Sequence, residues 1–380
     1  MSSFFGNTSF GGARPLGAAT GFGGATNTAT ATLSATTDKD VEIAQPPTDG
    51  VSSMSWSSIA DFLAVSSWDN NVRIYGVEAN STTSPRAMYS HQGPVLDVTW
   101  SKDGNKIISC GADKAARLYD VATSHQQQVA AHEAPIKNLR WIDQNGGILA
   151  TGSWDKTVKY WDLRQSQPIA TAQLAERCYS MDFAWPYLVV ACAERKIQVF
   201  DLSQNPSNPI MNIDSPLKWQ TRTVACFQRQ DPPGSAPIPP GYAVGSVEGR
   251  VAIQYIKEEN KGLNFSFKCH RKDGTTARDP PQLFPVNAIS FHPIHGTFST
   301  AGGDGSMNFW DKDSKTRLKT FESKGVPISC TAFNRTGNIF AYAASYDWHR
   351  GWQAAPPPNT PNQIYLHACK DEEVKRRPKK

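Results

Sequence analysis

The sequence has no apolar run near the roughly 18 residues that a membrane-spanning helix needs. It also has no basic-then-apolar leader of the secretory type. No Cys-x-x-Cys occurs: the seven cysteines, at 110, 178, 192, 226, 269, 330 and 369, are scattered and odd in number. Most lie in strand-like apolar stretches such as Val189-Val190-Ala191-Cys192. They read as reduced thiols, packed as small hydrophobes in a cytosolic or nuclear protein. Charge is sparse, at 19% of residues with a net of +5, which permits a basic patch without demanding a nucleic-acid partner. There is no phosphate-binding loop, His-Glu-x-x-His, Gly-x-Ser-x-Gly or kinase signature. No cofactor and no catalytic residue is expected. His292-Pro293-Ile294-His295 falls in a predicted turn with no third ligand nearby, so no metal site is expected there either.

The chain is rich in turn formers and aromatics. Gly and Pro number 28 and 26, and 11 Trp, 11 Tyr and 17 Phe supply ample core. These residues recur in a pattern. Ser66-Ser67-Trp68-Asp69, Cys110-Gly111-Ala112-Asp113, Gly152-Ser153-Trp154-Asp155 and Gly302-Gly303-Asp304-Gly305 each join a small-residue strand to an alternating strand ending in an aromatic. Self-similarity at about 40–45 residues is the mark of WD-repeat architecture. The expected fold is all-β: a seven-bladed WD-repeat β-propeller with a disordered N-terminal leader. Such a ring is more often a docking platform than an enzyme.

Residues 1–38 are a Gly/Thr/Ala-rich leader, nearly free of charge, that buries too little to offset its ordering entropy. Phe-Gly pairs punctuate it at Phe5-Gly6, Phe10-Gly11 and Phe22-Gly23. The propeller spans 39–370, and 371–380 is a basic C-terminal tail, fit for nuclear import or a phosphate contact. Blade four is degenerate, and Pro-rich insertions interrupt blades five (231–241) and seven (355–361). A ring of sheets needs a latch against an open edge. Val41-Glu42-Ile43-Ala44 is the only strand-like segment before blade one, so it is expected to supply the outer strand of blade seven.

His132, Ser153, Asp155 and Trp161 have the form of a structural network in which loop His, strand hydroxyl, turn Asp and strand Trp satisfy one another. His91 with Asp113 is a partial second copy. Positive charge gathers late, in Arg222, Arg229, Arg250, the stretch Phe267-Lys268-Cys269-His270-Arg271-Lys272 and the run from Trp310 to Lys319. Cations interleaved with aromatics suit a phosphate backbone with bases stacked on rings, and equally suit an acidic peptide. Trp161-Asp162-Leu163-Arg164 has the Trp-Asp-x-Arg form of some propellers that act as substrate receptors for cullin ubiquitin ligases.

Several stretches together resemble the Rae/Gle family of nuclear-pore mRNA export factors: the Phe-Gly leader, Gly245 to Ile253, Phe267-Lys268-Cys269-His270-Arg271, Phe291 to Thr297, Phe309-Trp310-Asp311-Lys312-Asp313 and Asn338 to Trp348. The Bub-type checkpoint propeller shares the Glu248-to-Ala252 and Phe291-His292-Pro293 blocks. The leader and the Trp310-Asp311-Lys312 edge favour the export factor. The resemblance implies a non-enzymatic adaptor in nuclear export of mRNA. It would dock on a GLEBS-type acidic segment of an FG nucleoporin and bind single-stranded RNA on a basic edge. An mRNA export receptor or checkpoint proteins would be further partners, and the place of action the nucleus, at the nuclear pore complex, and the cytoplasm. The RNA edge is expected at Arg250, Phe267, Lys268, Trp310, Lys312, Lys315 and Arg317, as one continuous patch. The nucleoporin peptide is expected at Arg222, Arg271, Arg278, Trp348 and Arg350, in or beside late-blade loops. The alternative readings are a mitotic checkpoint scaffold and a cullin-ligase substrate receptor.

Overall fold

The computed structural model describes residues 39–78, 82–227, 239–274, 279–355, 357 and 362–377. Seven four-stranded antiparallel sheets follow one another along the chain. Their innermost strands are Val51–Trp56, Val95–Trp100, Ile136–Ile142, Cys178–Ala184, Thr221–Cys226, Val286–Phe291 and Ile328–Phe333. Each inner strand touches the next, and the seventh touches the first, so the ring is closed. The leader, with its Phe-Gly pairs, lies outside the described residues.

The sequence explains the layering within a blade. Second strands are covered by blades on both sides, so they are built from apolar and small residues throughout. Ile339–Ala344 and Gly241–Ser246 are buried at every position, as expected where both faces of a strand are covered. Outer strands face solvent and alternate in burial, as in Phe265–Lys268. Every inner strand carries a register shift after its first residue, from Val51/Ser53 to Ile328/Cys330. Such a bulge sharpens twist and re-aims the strand's entry; here it occurs once per blade, where the chain drops into the channel.

The channel, of about 710 Å³, is wired from blade to blade. Ser53 donates to Asp97 at 2.7 Å. Arg140 donates to Asp97 at 3.0 Å and to Asp182 at 2.8 Å. Asp182 also accepts from the Cys226 backbone N–H at 2.7 Å. Arg222 donates to Asn287 at 3.1 Å, Asn287 to the Ile328 carbonyl at 3.0 Å, and Trp56 to the Ala332 carbonyl at 3.2 Å. These bonds link all seven blades.

The WD network forms in three blades. His132 pairs with Asp155 at 2.8 Å, and its other nitrogen meets the Thr151 hydroxyl at 2.8 Å, which also accepts from the Trp161 indole at 2.8 Å. The hydroxyl between ring and indole is therefore Thr151, not Ser153. Ser153, at the end of its strand, instead donates to the Pro135 carbonyl and accepts from the Asp155 N–H. His91 binds Asp113 and Ser109, with Tyr89 in place of the indole. A third copy joins His270, Asp304, Thr300 and Trp310, with the Trp310 indole donating to Thr300 at 2.9 Å. Leaving any of these buried groups unpaired costs about 1–3 kcal/mol.

The latch forms where the sequence places it, over two residues: Val41 pairs with Leu366 and Glu42 with Tyr365, so the first strand completes blade seven. Its lock is His367, whose two nitrogens meet Asp40 at 2.8 Å and Glu373 at 3.0 Å. Tyr342 also donates to Asp40. Burial alone would lower the His367 pKa, but the two carboxylates outweigh it and hold the imidazolium to about 9. Burial likewise opposes the charge on Asp40 and Glu373, yet their hydrogen bonds to His367 hold both near 2. A raised histidine contributes fully below its ordinary pKa of about 6.5 and loses its contribution as pH climbs through about 9. The depressed carboxylates contribute above their ordinary values and lose that contribution only as pH falls through about 2. Unfolding free energy is therefore expected to drop by about 2 kcal/mol between pH 6.5 and 9. Denaturant titrations across that window check it: His367→Gln should flatten the slope, and an unchanged slope would remove the lock.

Candidate nucleic-acid and peptide interfaces

Antiparallel strands send alternate connections to opposite faces of the ring. The upper face carries the turns between second and third strands and the loops that lead into each new blade. The lower face carries the remaining turns.

The upper face gathers exposed tryptophans. Of the six exposed ones among the described residues, Trp68, Trp154, Trp219, Trp348 and Trp352 lie there, and only Trp185 lies below. Large exposed aromatics in one region mark an interaction surface. Trp348 is half exposed and packs on Tyr346 with ring centroids 5.5 Å apart. Arg350 is exposed and lines a recess of about 330 Å³ with Lys272, Phe284, Tyr346 and His349. Two of the expected peptide contacts differ from the sequence reading. Arg222 sits in the innermost strand of blade five, not in a loop. Its guanidinium binds Asn287 and the Asp347 carbonyl at 3.0 Å, and so supports the loop that carries Trp348 and Arg350. Arg271 faces Glu248, donating to its carbonyl at 3.3 Å. Arg278 lies outside the described residues. Trp219 and Trp352, at 61% and 75% exposed, are the most open aromatics of this face. The sequence reading missed them because a lone tryptophan in a loop carries no periodic signal.

The rim between blades five and six holds the second surface. Phe267 packs on Trp310 with centroids 4.6 Å apart, and Phe265 stacks on Phe267 at 6.1 Å. Lys315 lies 4.8 Å over Phe265, and Arg317 lies 5.9 Å over Trp310. Both cations are exposed. Cations set over partly exposed aromatic rings form a groove suited to a phosphate chain and its bases.

The expected continuous patch is broken in two. Successive strand residues point to opposite faces. Val251 and Phe267 face blade six, whereas their neighbours Arg250 and Lys268, paired with each other across the two strands, fall on the other face of blade five. Arg250 is also drawn to Glu248 at 3.5 Å. Lys312 is not at the surface: it is 4% exposed, 2.6 Å from Asp313, and 4.9 Å over the Phe227 ring. Burial lowers its pKa, with Asp313 opposing. It props the turn beneath Lys315 and does not present its ammonium at the surface as the sequence reading expected. Trp310 is half-buried with its N–H committed to Thr300, so only its ring is offered.

Residues 371–380, read from the sequence as a basic tail, begin as part of the ring. Asp371–Val374 is a helical turn, and Val374 is buried in the core between blades six and seven. Arg164, of the Trp-Asp-x-Arg stretch, is held by its own Asp162 at 2.6 Å. His292 accepts from the backbone N–H groups of Ile294 and His295 and donates to the Gly337 carbonyl at 3.1 Å, which makes it a turn residue. Among the described residues no group of three or more His, Cys, Asp or Glu is placed to hold a metal.

Comparison with known proteins agrees with the fold and narrows the family. The model of the WD domain, G-beta repeat matches residues 41–76, 83–120, 124–162 and 281–311. The poly(A)+ RNA export protein of Schizosaccharomyces pombe is 52% identical over 344 residues, covering 90% of this chain and 94% of that protein. The mRNA export factor GLE2 of Chaetomium thermophilum is 47% identical over 344 residues, covering 89% of this chain and 93% of its own. Protein Rae1 of Drosophila melanogaster is 43% identical over 337 residues, covering 88% and 95%. With a closed seven-bladed ring and this similarity along nearly its whole length, the chain belongs to the Rae1/Gle2 family of WD-repeat mRNA export factors.

Proposed function

We propose that this protein is a non-enzymatic adaptor at the nuclear pore that holds a nucleoporin segment on its upper face and single-stranded RNA on its rim. The observation that carries the reading is the separation of the two surfaces. The tryptophan-bearing upper face and the Phe265–Phe267–Trp310 groove lie on different sides of one closed ring, so both ligands fit at once. The peptide of choice is acidic and of the GLEBS type. The recess beside Trp348 offers Lys272 and Arg350 among aromatic side chains, which suits carboxylates next to apolar anchors.

Two titrations of the full chain test the reading. A GLEBS-type peptide should bind with submicromolar affinity by calorimetry, and Trp348→Ala with Arg350→Ala should weaken it at least tenfold. A short oligouridylate should bind in a salt-sensitive way, because each phosphate contact releases counterions. Lys315→Glu with Arg317→Glu should abolish RNA binding without touching peptide affinity. No peptide binding by a folded ring would move a checkpoint or ligase scaffold to the front. RNA affinity unchanged in the double variant would reject the groove.

A further inference from the structure

Residues 374–377 cross beneath blade six and reach the rim that holds Lys315 and Arg317. From Val374, whose carbonyl accepts from Thr297 at 2.6 Å, the chain runs to Arg376, which donates to the His295 carbonyl at 2.6 Å. The Arg377 backbone N–H then donates to the Asp311 carboxylate at 3.2 Å. Asp311 opens the turn that carries Lys312 and Lys315. The strap thus starts on the blade-seven side and arrives on the blade-five side.

At its arrival the strap changes the charge of the turn. Asp313 lies between two cations: the Lys312 ammonium at 2.6 Å and the Arg376 guanidinium at 3.0 Å. Lys312 is already buried over Phe227 and Tyr255, so Arg376 tips the turn from neutral to positive. Arg377 is exposed, and it is its backbone N–H that holds Asp311, which leaves the guanidinium at the surface.

We propose that the strap Lys375–Arg377 completes the RNA groove, with Arg376 offsetting Asp313 as a positioning residue and Arg377 contacting an RNA phosphate beyond Lys315 and Arg317. The inference rests on the rim's being the RNA surface. It adds a contact from a segment that lies far from the rim in sequence and belongs to no WD repeat. Lys375 is exposed but lies between the Val374 and Arg376 bonds, before the strap reaches the turn, so it stays off the phosphate track.

The test is oligouridylate binding by the full-length protein across a salt series. A single-stranded phosphate contact contributes about 0.7 to the slope of log K against log salt. Arg377→Ala should lower the slope by about that amount and weaken binding several-fold at low salt, whereas Lys375→Ala should leave the slope unchanged. Arg376→Ala should weaken binding too, and Asp313→Asn in that background should restore it. A merely structural Arg376 would not be rescued in this way. If Lys315→Glu with Arg317→Glu abolishes binding but Arg377→Ala leaves slope and affinity intact, the strap is rejected and the groove stands. If the unaltered protein does not bind oligouridylate, both fall. Denaturant unfolding of Arg377→Ala should superpose on the parent, because the strap is anchored there by the Arg377 backbone and the side chain is exposed.

Discussion

Lys312→Glu is expected to destabilise the ring by about 3–5 kcal/mol, the cost of an uncompensated buried charge. The change puts a carboxylate where an ammonium lies 2.6 Å from Asp313 and over the rings of Phe227 and Tyr255. Attraction becomes repulsion between two acids, in a site with little access to water. The new carboxylate also meets the negative faces of the aromatic rings. Lys312→Met should be far milder, because it keeps the stem and leaves Asp313 its bond to Arg376. Urea unfolding of Lys312→Glu, Lys312→Met and Lys315→Glu separates the cases. A Lys312→Glu curve that superposes on the parent would contradict the burial. Loss of RNA binding in Lys312→Glu is therefore no evidence for an RNA contact. The clean probes of the groove are Lys315 and Arg317, whose exposed heads leave the turn intact when changed.

Arg140→Leu is expected to cost a similar 3–5 kcal/mol. Arg140 spans three blades, lying between Asp97 of blade two and Asp182 of blade four. Both carboxylates are largely buried, and both keep their remaining hydrogen bonds after the substitution: Asp97 from Ser53 and Asn138, Asp182 from the Cys226 N–H. Two like charges would then face each other across the channel wall with no cation between them. Arg140→Lys should recover part of the loss, since one ammonium replaces the charge but not the fork that reaches two acids. Guanidinium chloride is a poor denaturant for this comparison because it screens the effect; urea at low salt is the better measurement. Equal stability of Arg140→Leu and the parent would mean that the channel wall tolerates the bare pair.

The fold was largely legible in the sequence because a propeller repeats its own signals. Each blade restates the small-residue strand, the Asp-led turn and the aromatic end, so a degenerate copy such as blade four is carried by its neighbours. The latch was legible because Val41–Glu42 had no other sheet to join. Side-chain facing was harder to read. Residue counts along a strand do not reveal which of two alternate faces meets the next blade, so Arg250 and Lys268 were grouped with Phe267 although the pleat separates them. Burial of single cations was invisible too: Lys312 and Lys315 lie three residues apart, and only the packing of Phe227 and Tyr255 distinguishes them. The His270 network escaped notice because its histidine stands well ahead of the strand at Val286, with the short pairing of Arg271–Lys272 and Gln282–Leu283 between. In the other two copies only a few residues intervene.

The shared construction of blade seven sets a condition on how the protein can be made. Its outer strand precedes the other six blades in the chain, and its three inner strands follow them. Six blades can assemble in order as they emerge, but the early strand has nothing to pair with until Gln363–Ala368 has been synthesised. Until then the nascent chain carries an unpaired edge at each end of an open arc, the kind of template that recruits stray strands. A stalled or prematurely terminated message would yield an arc that cannot shut, and so a substrate for chaperones and proteases. For this ring, translation through Gln363–Ala368 is a step of folding.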